Sequence, residues 1–393
     1  MAALSKKNIL FGITGSIAAY KSVDIVRGLI KEDAAVTVVM TEAACRFIPP
    51  LTLEAVSGRR VHTGLFEDFF SHINLPKDSH LFIIAPATAN TINKLASGIA
   101  DNLLTSAWLA YKGPTLMAPA MNWRMYEHPV VKKNIRELDK LGVTFAGPVC
   151  GSLACGEEGA GRMADTEDII EAARSALTPK DLKGRRILVT AGPTREPLDA
   201  VRFISNRSSG KMGFAVARAA LRRGADVTLI SGPSSQRLPQ GTDFIPVETA
   251  DEMRDAVSKK FSNAATVIMT SAVADFAPAV LVKSKIKKAD TMTLNLKKTP
   301  DILKELGRKK GERILIGFAA EAGRDVRSAK DKLENKNLDL IVLNDVTAQG
   351  AGFDTDTNIV TIISKKGDVT DYPMMYKDEV ADIILDRLLQ LQP

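Results

Sequence analysis

The sequence predicts an α/β chain of two doubly wound, mostly parallel-sheet, Rossmann-like domains in tandem, and three observations carry that expectation. The 393 residues exceed what one compact core usually holds. Short apolar runs alternate with helical stretches, the pattern of buried parallel strands joined by crossovers. The same opening of apolar strand, small-residue turn, helix and strand also occurs twice, at "KKNILFGITGSIAAYKSVDIVRGLIKEDAAVTVVMT" and again from "GRRILVTAGPT".

Taken in order, a strand over 8–14 leads into a helix over 17–31 and a strand over 35–40. Further strands fit 80–86 and 114–119, with helices near 91–111 and 127–141. The second half starts with a strand and turn over 184–194, a helix over 211–223 and a strand over 225–231. It continues with strands in "ATVIMTSAV" (265–273), "RILIGFA" (313–319) and "LDLIVLND" (338–345), and with helices over 250–262, 300–309, 325–336 and 376–390. Between the halves "RSALTPKDLKG" is polar and broken by Pro179 and Gly184, giving domains over 1–177 and 185–393 with a linker over 178–184.

At 45% hydrophobic and 25% charged the chain has an ordinary soluble composition. Apolar runs such as "LFIIAPA" are too short to cross a bilayer, and the opening residues lack the apolar core of a signal peptide, so a cytoplasmic protein with no membrane contact is expected. Cys45, Cys150 and Cys155 are too few for a disulfide framework, and four scattered histidines assemble no zinc pattern. The net charge of +7 is not interleaved with aromatics, which are only 5% of the chain, so nucleic acid is not the expected partner. Small anionic substrates account for the charge.

Ligands of such sheets gather beyond the carboxyl ends of the strands. There the first half offers Gly15 and Ser16, Thr41, and Thr88 with Asn90, each at the start of a helix whose free amides suit an anion. Each taken alone reads first as an ordinary N-cap. In the second half "ISNRSSGKMG" imitates a P-loop but fails at both anchors. Ser205 stands where the first Gly belongs, and Met212 where a hydroxyl must follow Lys211. Neither half has a G-x-G-x-x-G after its first strand, which argues against a dinucleotide fold.

Read together, "SHINLPK" with His72, "APAMNWRMYEHP" with Asn122 and "GSLACGEEGAGRM" with Cys155 make residues 6–175 resemble the flavin-dependent cysteine decarboxylases, homo-oligomeric FMN proteins. The resemblance implies a flavoprotein-like first domain with FMN at Gly15, Ser16, Thr41, Thr88 and Asn90. It implies that the substrate's cysteine side chain is first oxidised to a thioaldehyde, the electron sink that lets CO2 leave. Cys155 is then the proton donor, since an ordinary thiol, with a pKa of about 8.5, is mostly protonated near neutrality. It lies in a loop with Gly151, Gly156, Gly159 and Gly161, the composition of a mobile flap. His72 is implied as base or substrate orienter, and Asn122 as the amide that holds the carboxylate. Tyr126 stands where some of these decarboxylases have Trp.

The stretches "VTAGPTREPLDAVRFISNRSSGKMG", "TSAVADF", "KSKIKK", "TPDIL" and "GFAAE" make about 184–390 resemble the bacterial phosphopantothenate-cysteine ligases that use CTP. The fused order implies two consecutive steps of coenzyme A biosynthesis. 4′-Phosphopantothenate is activated with CTP and magnesium as an acyl-cytidylate and ligated to cysteine, and the product is decarboxylated to 4′-phosphopantetheine. By this resemblance Met269, Thr270, Ser271, Asp275, Lys285, Pro300, Asp301, Ile302, Leu303, Phe318, Lys332 and Lys336 contact CTP. Arg202, Asn206, Ser208, Ser209 and Gly210 form the phosphopantothenate site, and Asn206 and Lys285 act in catalysis. The magnesium ligands are not identified. Lys283, Lys285 and Lys287 share one face if their stretch is extended, and a solvated basic edge is the ordinary alternative. The resemblance also implies trimeric decarboxylase units joined through dimeric ligase units, a dodecamer. Two other readings stay open: one active half with the other as scaffold, and an FMN-binding regulatory module.

Overall fold

The computed structural model describes residues 3–391 apart from 153–155, 288, 289, 322, 346, 348, 349, 351 and 353. The chain divides into two compact units, Met1–Thr178 and Pro179–Pro393.

In the first unit β1 (Asn8–Ile13), β2 (Ala35–Met40), β3 (Leu81–Ala87), β4 (Thr115–Pro119) and β5 (Val143–Phe145) pair in parallel in the order β2-β1-β3-β4-β5. All seven residues of β3, LFIIAPA, are buried, as a strand covered on both faces requires. Helix Ser22–Lys31 supplies Ile25, Val26 and Leu29 from its inner face. The order reverses between β1 and β3, which opens a crevice beyond their carboxyl ends. A hairpin of β6 (Val149–Ser152) and β7 (Glu158–Arg162) follows the sheet.

Two expected helices are interrupted. The stretch 17–31 begins as a 3-10 turn, Ile17–Lys21, before the α-helix. The stretch 91–111 is two helices, Ala89–Ala96 and Leu103–Ala110. Gly98, at φ +68°, turns the chain after the first, and Asn102 starts the second with a capping box.

The second unit contains β8 (Arg186–Ala191), β9 (Arg195–Pro197), β10 (Phe203–Ser205), β11 (Asp226–Ser231), β12 (Asp243–Pro246), β13 (Thr266–Met269), β14 (Phe276–Pro278), β15 (Leu296–Lys298), β16 (Ile314–Glu321), β17 (Leu340–Asp345), β18 (Thr357–Ser364) and β19 (Val369–Tyr376). Its main sheet runs β12-β11-β8-β13-β16-β17-β18-β19, parallel through β17 and antiparallel beyond. The first six follow the doubly wound order with its reversal between β8 and β13. The pairs β9–β10 and β14–β15 stand apart from it as small hairpins.

The segment expected as linker is held by this unit. Leu182 is fully buried, and Asp181 Oδ1 and Oδ2 both accept from the Arg223 guanidinium at 2.8 Å. Among the described residues no helix is long and apolar enough to cross a membrane.

Candidate active sites

The three polar turns of the first unit lie side by side because β2, β1 and β3 are neighbours. Ser16 accepts from the Ala18 amide at 3.3 Å, Thr41 from Ala44 at 3.2 Å and Thr88 from Thr91 at 3.4 Å. Each cap takes one first-turn amide, and the amides ahead of it are left to point beyond the strand ends. Thr14 Oγ1 donates to Pro86 O at 2.7 Å and accepts from the Thr88 amide at 3.0 Å, locking the turn after β1 to the turn after β3. A Cβ on Gly15 would stand 2.5 Å from Ala43 Cβ, so only glycine lets the Ser16 turn lie against the Thr41 helix. Asn90 is exposed in the helix capped by Thr88. This small-residue cradle, rich in amide and hydroxyl donors, fits the phosphate and polyol chain of a flavin mononucleotide.

The turn after β4 joins the same edge, since the Ala120 amide donates to Ala87 O at 3.0 Å. It carries Asn122, the cap of helix Trp123–Glu127, whose Oδ1 accepts from the Arg124 amide at 2.9 Å. The Asn122 Nδ2 donates to Glu157 Oε2 at 3.1 Å. Trp123 Nε1 reaches the same oxygen at 2.9 Å, and Arg124 Nη2 meets Oε1 at 2.8 Å. The backbone contact holding one side of the amide and the Glu157 contact holding the other fix its orientation.

Glu157 precedes β7, so the hairpin is fastened to the Asn122 turn. The glycine composition expected to make a mobile flap has a different cause in β7. A Cβ at Gly161 would stand 2.2 Å from Met121 O, and one at Gly159 2.7 Å from Trp123 Cβ. These glycines permit close packing. Gly161→Ala is therefore expected to destabilise the first unit by about 2 kcal/mol or more and to impair decarboxylation with ligation intact, measured by thermal unfolding and separate assays. Cys155 lies outside the described residues. His72 is half-buried in helix Ser71–Lys77. Among the described residues it makes no hydrogen bond or ion pair with Asn122 or with the three caps.

At the reversal of the second sheet, the loops after β8 and β13 are tied together. Thr190 Oγ1 donates to Ser271 Oγ at 2.8 Å, Thr270 Oγ1 donates to Thr190 O at 2.5 Å, and the Ala272 amide donates to Gly192 O at 2.9 Å. Beyond them opens a cavity of about 770 Å³. Of the residues expected in this site, Asn206, Ser208, Ser209, Gly210, Met269, Thr270, Ser271, Asp275, Pro300, Asp301, Ile302, Leu303, Phe318, Lys332 and Lys336 all line it.

Asn206 is held from its amide end, Nδ2 donating to Val273 O at 2.9 Å and Ala272 O at 3.4 Å. Lys332 pairs with Glu321, and Lys336 Nζ with Asp301 Oδ1 at 3.0 Å, so both cations are held at the cavity by carboxylates. Lys332 belongs to helix Val326–Asn335, and Lys336 is its C-cap.

Two expected residues are not among those lining the cavity. Arg202 faces Asp199, its Nη1 3.5 Å from Oδ2. Lys285 is exposed in a stretch that forms no strand, so the shared face expected of an extended 283–287 is not built in this chain's own sheets. That stretch is anchored at Ile286, whose amide donates to Asp199 Oδ2 at 3.1 Å. Sequence reading missed Lys211, Asn358 and Lys377, which also line the cavity. Lys211 sat in view inside the failed P-loop, whereas Lys377, 166 positions further on, gives no local signal.

Among the described residues no cluster of His, Cys, Asp and Glu forms a metal site. Asp275 and Asp301 both line this cavity, and Asp301 Oδ1 already accepts from the Lys304 amide and from Lys336 Nζ, both at 3.0 Å.

The family described as Flavoprotein matches residues 2–178, and the one described as DNA/pantothenate metabolism flavoprotein C-terminal domain matches residues 182–391. The coenzyme A biosynthesis bifunctional protein of Bacillus subtilis (strain 168) is 49% identical over 397 residues, covering 99% of this chain and 98% of that protein. Its counterpart from Vibrio cholerae serotype O1 is 43% identical over 394 residues, covering 98% of each. A crystal structure of the C-terminal domain of a coenzyme A biosynthesis bifunctional protein is 42% identical over 54% of this chain and 97% of that one, with a TM-score of 0.47. The chain thus belongs to the family of coenzyme A biosynthesis bifunctional proteins, with a flavoprotein domain followed by a DNA/pantothenate metabolism flavoprotein C-terminal domain.

Proposed function

We propose that the second unit joins 4′-phosphopantothenate to cysteine at the expense of CTP, and that the first decarboxylates the product with FMN. The observation that carries this reading is the full-length match to coenzyme A biosynthesis bifunctional proteins, with a polar cradle at one sheet reversal and a large cavity at the other.

In the ligase a carboxylate must gain a leaving group before an amine can displace it. Two anions therefore meet in one cavity, and donors and cations must offset their charge. Met269, Thr270, Ser271, Asp275, Pro300, Asp301, Ile302, Leu303 and Phe318 form the nucleotide side, with Lys332 and Lys336 at its far end. Magnesium comes with the phosphates. Asn206 steadies the activated carboxyl, while Ser208, Ser209 and Gly210, with Arg202 outside, receive phosphopantothenate. Lys285 contributes a cation to the phosphates from its exposed stretch. CTP, phosphopantothenate and magnesium without cysteine should release pyrophosphate about once per site and no CMP. Release of CDP, with no pyrophosphate, would remove the acyl-cytidylate from the reaction.

In the decarboxylase the flavin, when bound at Gly15, Ser16, Thr41, Thr88 and Asn90, supplies a reversible two-electron oxidation. Asn122 holds the departing carboxylate with a neutral donor, His72 orients the substrate and moves its proton, and Cys155 returns a proton to carbon. His72→Asn should abolish CO2 release while keeping the yellow flavin spectrum; full turnover would take His72 out of the mechanism.

A homo-oligomer, built from decarboxylase trimers and ligase dimers, accounts for the outward apolar side chains Phe66, Phe69 and Phe70 in the first unit and Val201, Val280 and Leu281 in the second. We place the protein in the cytoplasm.

A further inference from the structure

Two loops of the second unit carry cations that the ligase reading uses but that do not line its cavity. The turn between β9 and β10 carries Arg202, and the stretch between β14 and β15 carries Lys285. Asp199 joins them. Its side chain is fully shielded from solvent, a state in which an aspartate is rarely found unless its charge is met. Oδ1 accepts from the Val201 and Arg202 amides, both at 2.7 Å. Oδ2 accepts from the Ile286 amide at 3.1 Å and faces Arg202 Nη1 at 3.5 Å. Burial works to raise its pKa, but the amides of Val201, Ile286 and Arg202, with the Arg202 charge, outweigh it and hold the carboxyl below the usual range.

The Oδ1 bonds are local, those of an Asx turn that shapes the chain from 199 to 202. The Oδ2 bond to Ile286 spans 87 positions and has no such local cause. A second bond runs beside it, the Val282 amide donating to Leu198 O at 3.3 Å. The stretch 282–286 is thus pinned at both ends to two consecutive residues, and Lys283, Ser284 and Lys285 lie exposed between the pins. Lys285 is next to the Asp199 pin. A lysine on an unpinned loop loses backbone freedom each time it meets an anion, and pinning the loop beforehand reduces that loss.

We propose that Asp199 is a positioning residue for ligation: it holds the Lys285 stretch to the Arg202 turn and acts on the nucleotide through Lys285. The inference rests on the ligase reading above, in which Lys285 contributes a cation to the phosphates, and adds what keeps that cation in place. It also accounts for the residue type. Both carboxylate oxygens are engaged, whereas an asparagine has one. With that oxygen kept on the two turn amides, its NH2 would meet the Ile286 amide, donor against donor. Asp199→Asn therefore keeps the turn and frees the lysine stretch.

The test is steady-state ligation by the full-length protein, with amide hydrogen exchange read at Ile286. Asp199→Asn should raise the KM for CTP tenfold or more, leave the KM for cysteine within twofold and speed the Ile286 exchange at least tenfold. A residue that only supported the fold would move both KM values. Lys285→Gln should raise the KM for CTP at least as much, and the double variant should be no worse than Lys285→Gln alone, because the two residues act in series. Losses that multiply, an unchanged KM for CTP in Asp199→Asn, or unchanged exchange would each overturn the proposal, as would normal ligation by Lys285→Gln. Should thermal unfolding show that Asp199→Asn does not fold, Ile286→Pro deletes the same amide and leaves the carboxylate. It should shift the two KM values in the same way, and a normal KM for CTP would overturn the proposal. A wild type that forms no amide would overturn the ligase reading instead, and the exchange result alone then decides whether Asp199 holds the stretch.

Discussion

Asn122→Asp is expected to lower the rate of CO2 release by about three orders of magnitude, with flavin retained and ligation untouched. The wild-type amide donates to Glu157 Oε2 at 3.1 Å while its Oδ1 accepts from the Arg124 amide. An aspartate keeps the acceptor and loses the donor, so two carboxylates then face one another where one donor bond stood. The substrate's own carboxylate must approach the same group. Like charges at about 4 Å cost about 4 kcal/mol at an effective dielectric near 20, which is about a thousandfold in rate. Arg124, already paired with Glu157 at 2.8 Å, is engaged and offsets only part of this. Asn122→Ala removes the donor without adding charge and should cost about a hundredfold. Stopped-flow CO2 detection with synthetic phosphopantothenoylcysteine separates the two variants. Equal, modest losses for both would mean that Asn122 is only a helix cap.

Asn206→Asp should lower amide output by about a hundredfold or more and cause the acyl-cytidylate to accumulate. Asn206 Nδ2 spans Ala272 O and Val273 O in the loop after β13. A carboxylate cannot donate to either carbonyl and repels both, so the loop after β13 must move where Asn206 meets it. The added charge also opposes the phosphates in the cavity. Quenched reactions read by mass spectrometry would show the intermediate. Normal amide output with no intermediate would release Asn206 from its role.

Both doubly wound sheets were legible in the sequence because buried parallel strands are continuous apolar runs, and β3 is buried at every position. The turns at the strand ends were legible for the same reason, since doubly wound sheets gather ligands there. What was hidden depends on distance across the chain. β19, "VTDYPMMY", is mostly exposed and contains Pro373, so it has no apolar run to betray it. Gly159 and Gly161 read as flexibility, whereas close approach to Trp123 and Met121 is their physical cause. Glu157 gives no signal of its own in the sequence and is the acceptor for three side chains of the Asn122 turn. Lys377 comes to the cavity only through the fold, which starts two helices distant in sequence on one wall.

One chain carries two live, consecutive activities. Purified protein with phosphopantothenate, cysteine, magnesium and CTP should release pyrophosphate, CMP and CO2 in equal amounts, and removing cysteine should stop CMP and CO2 together. CMP without CO2 would leave only the ligase, and release of none of the three would contradict both halves of the account.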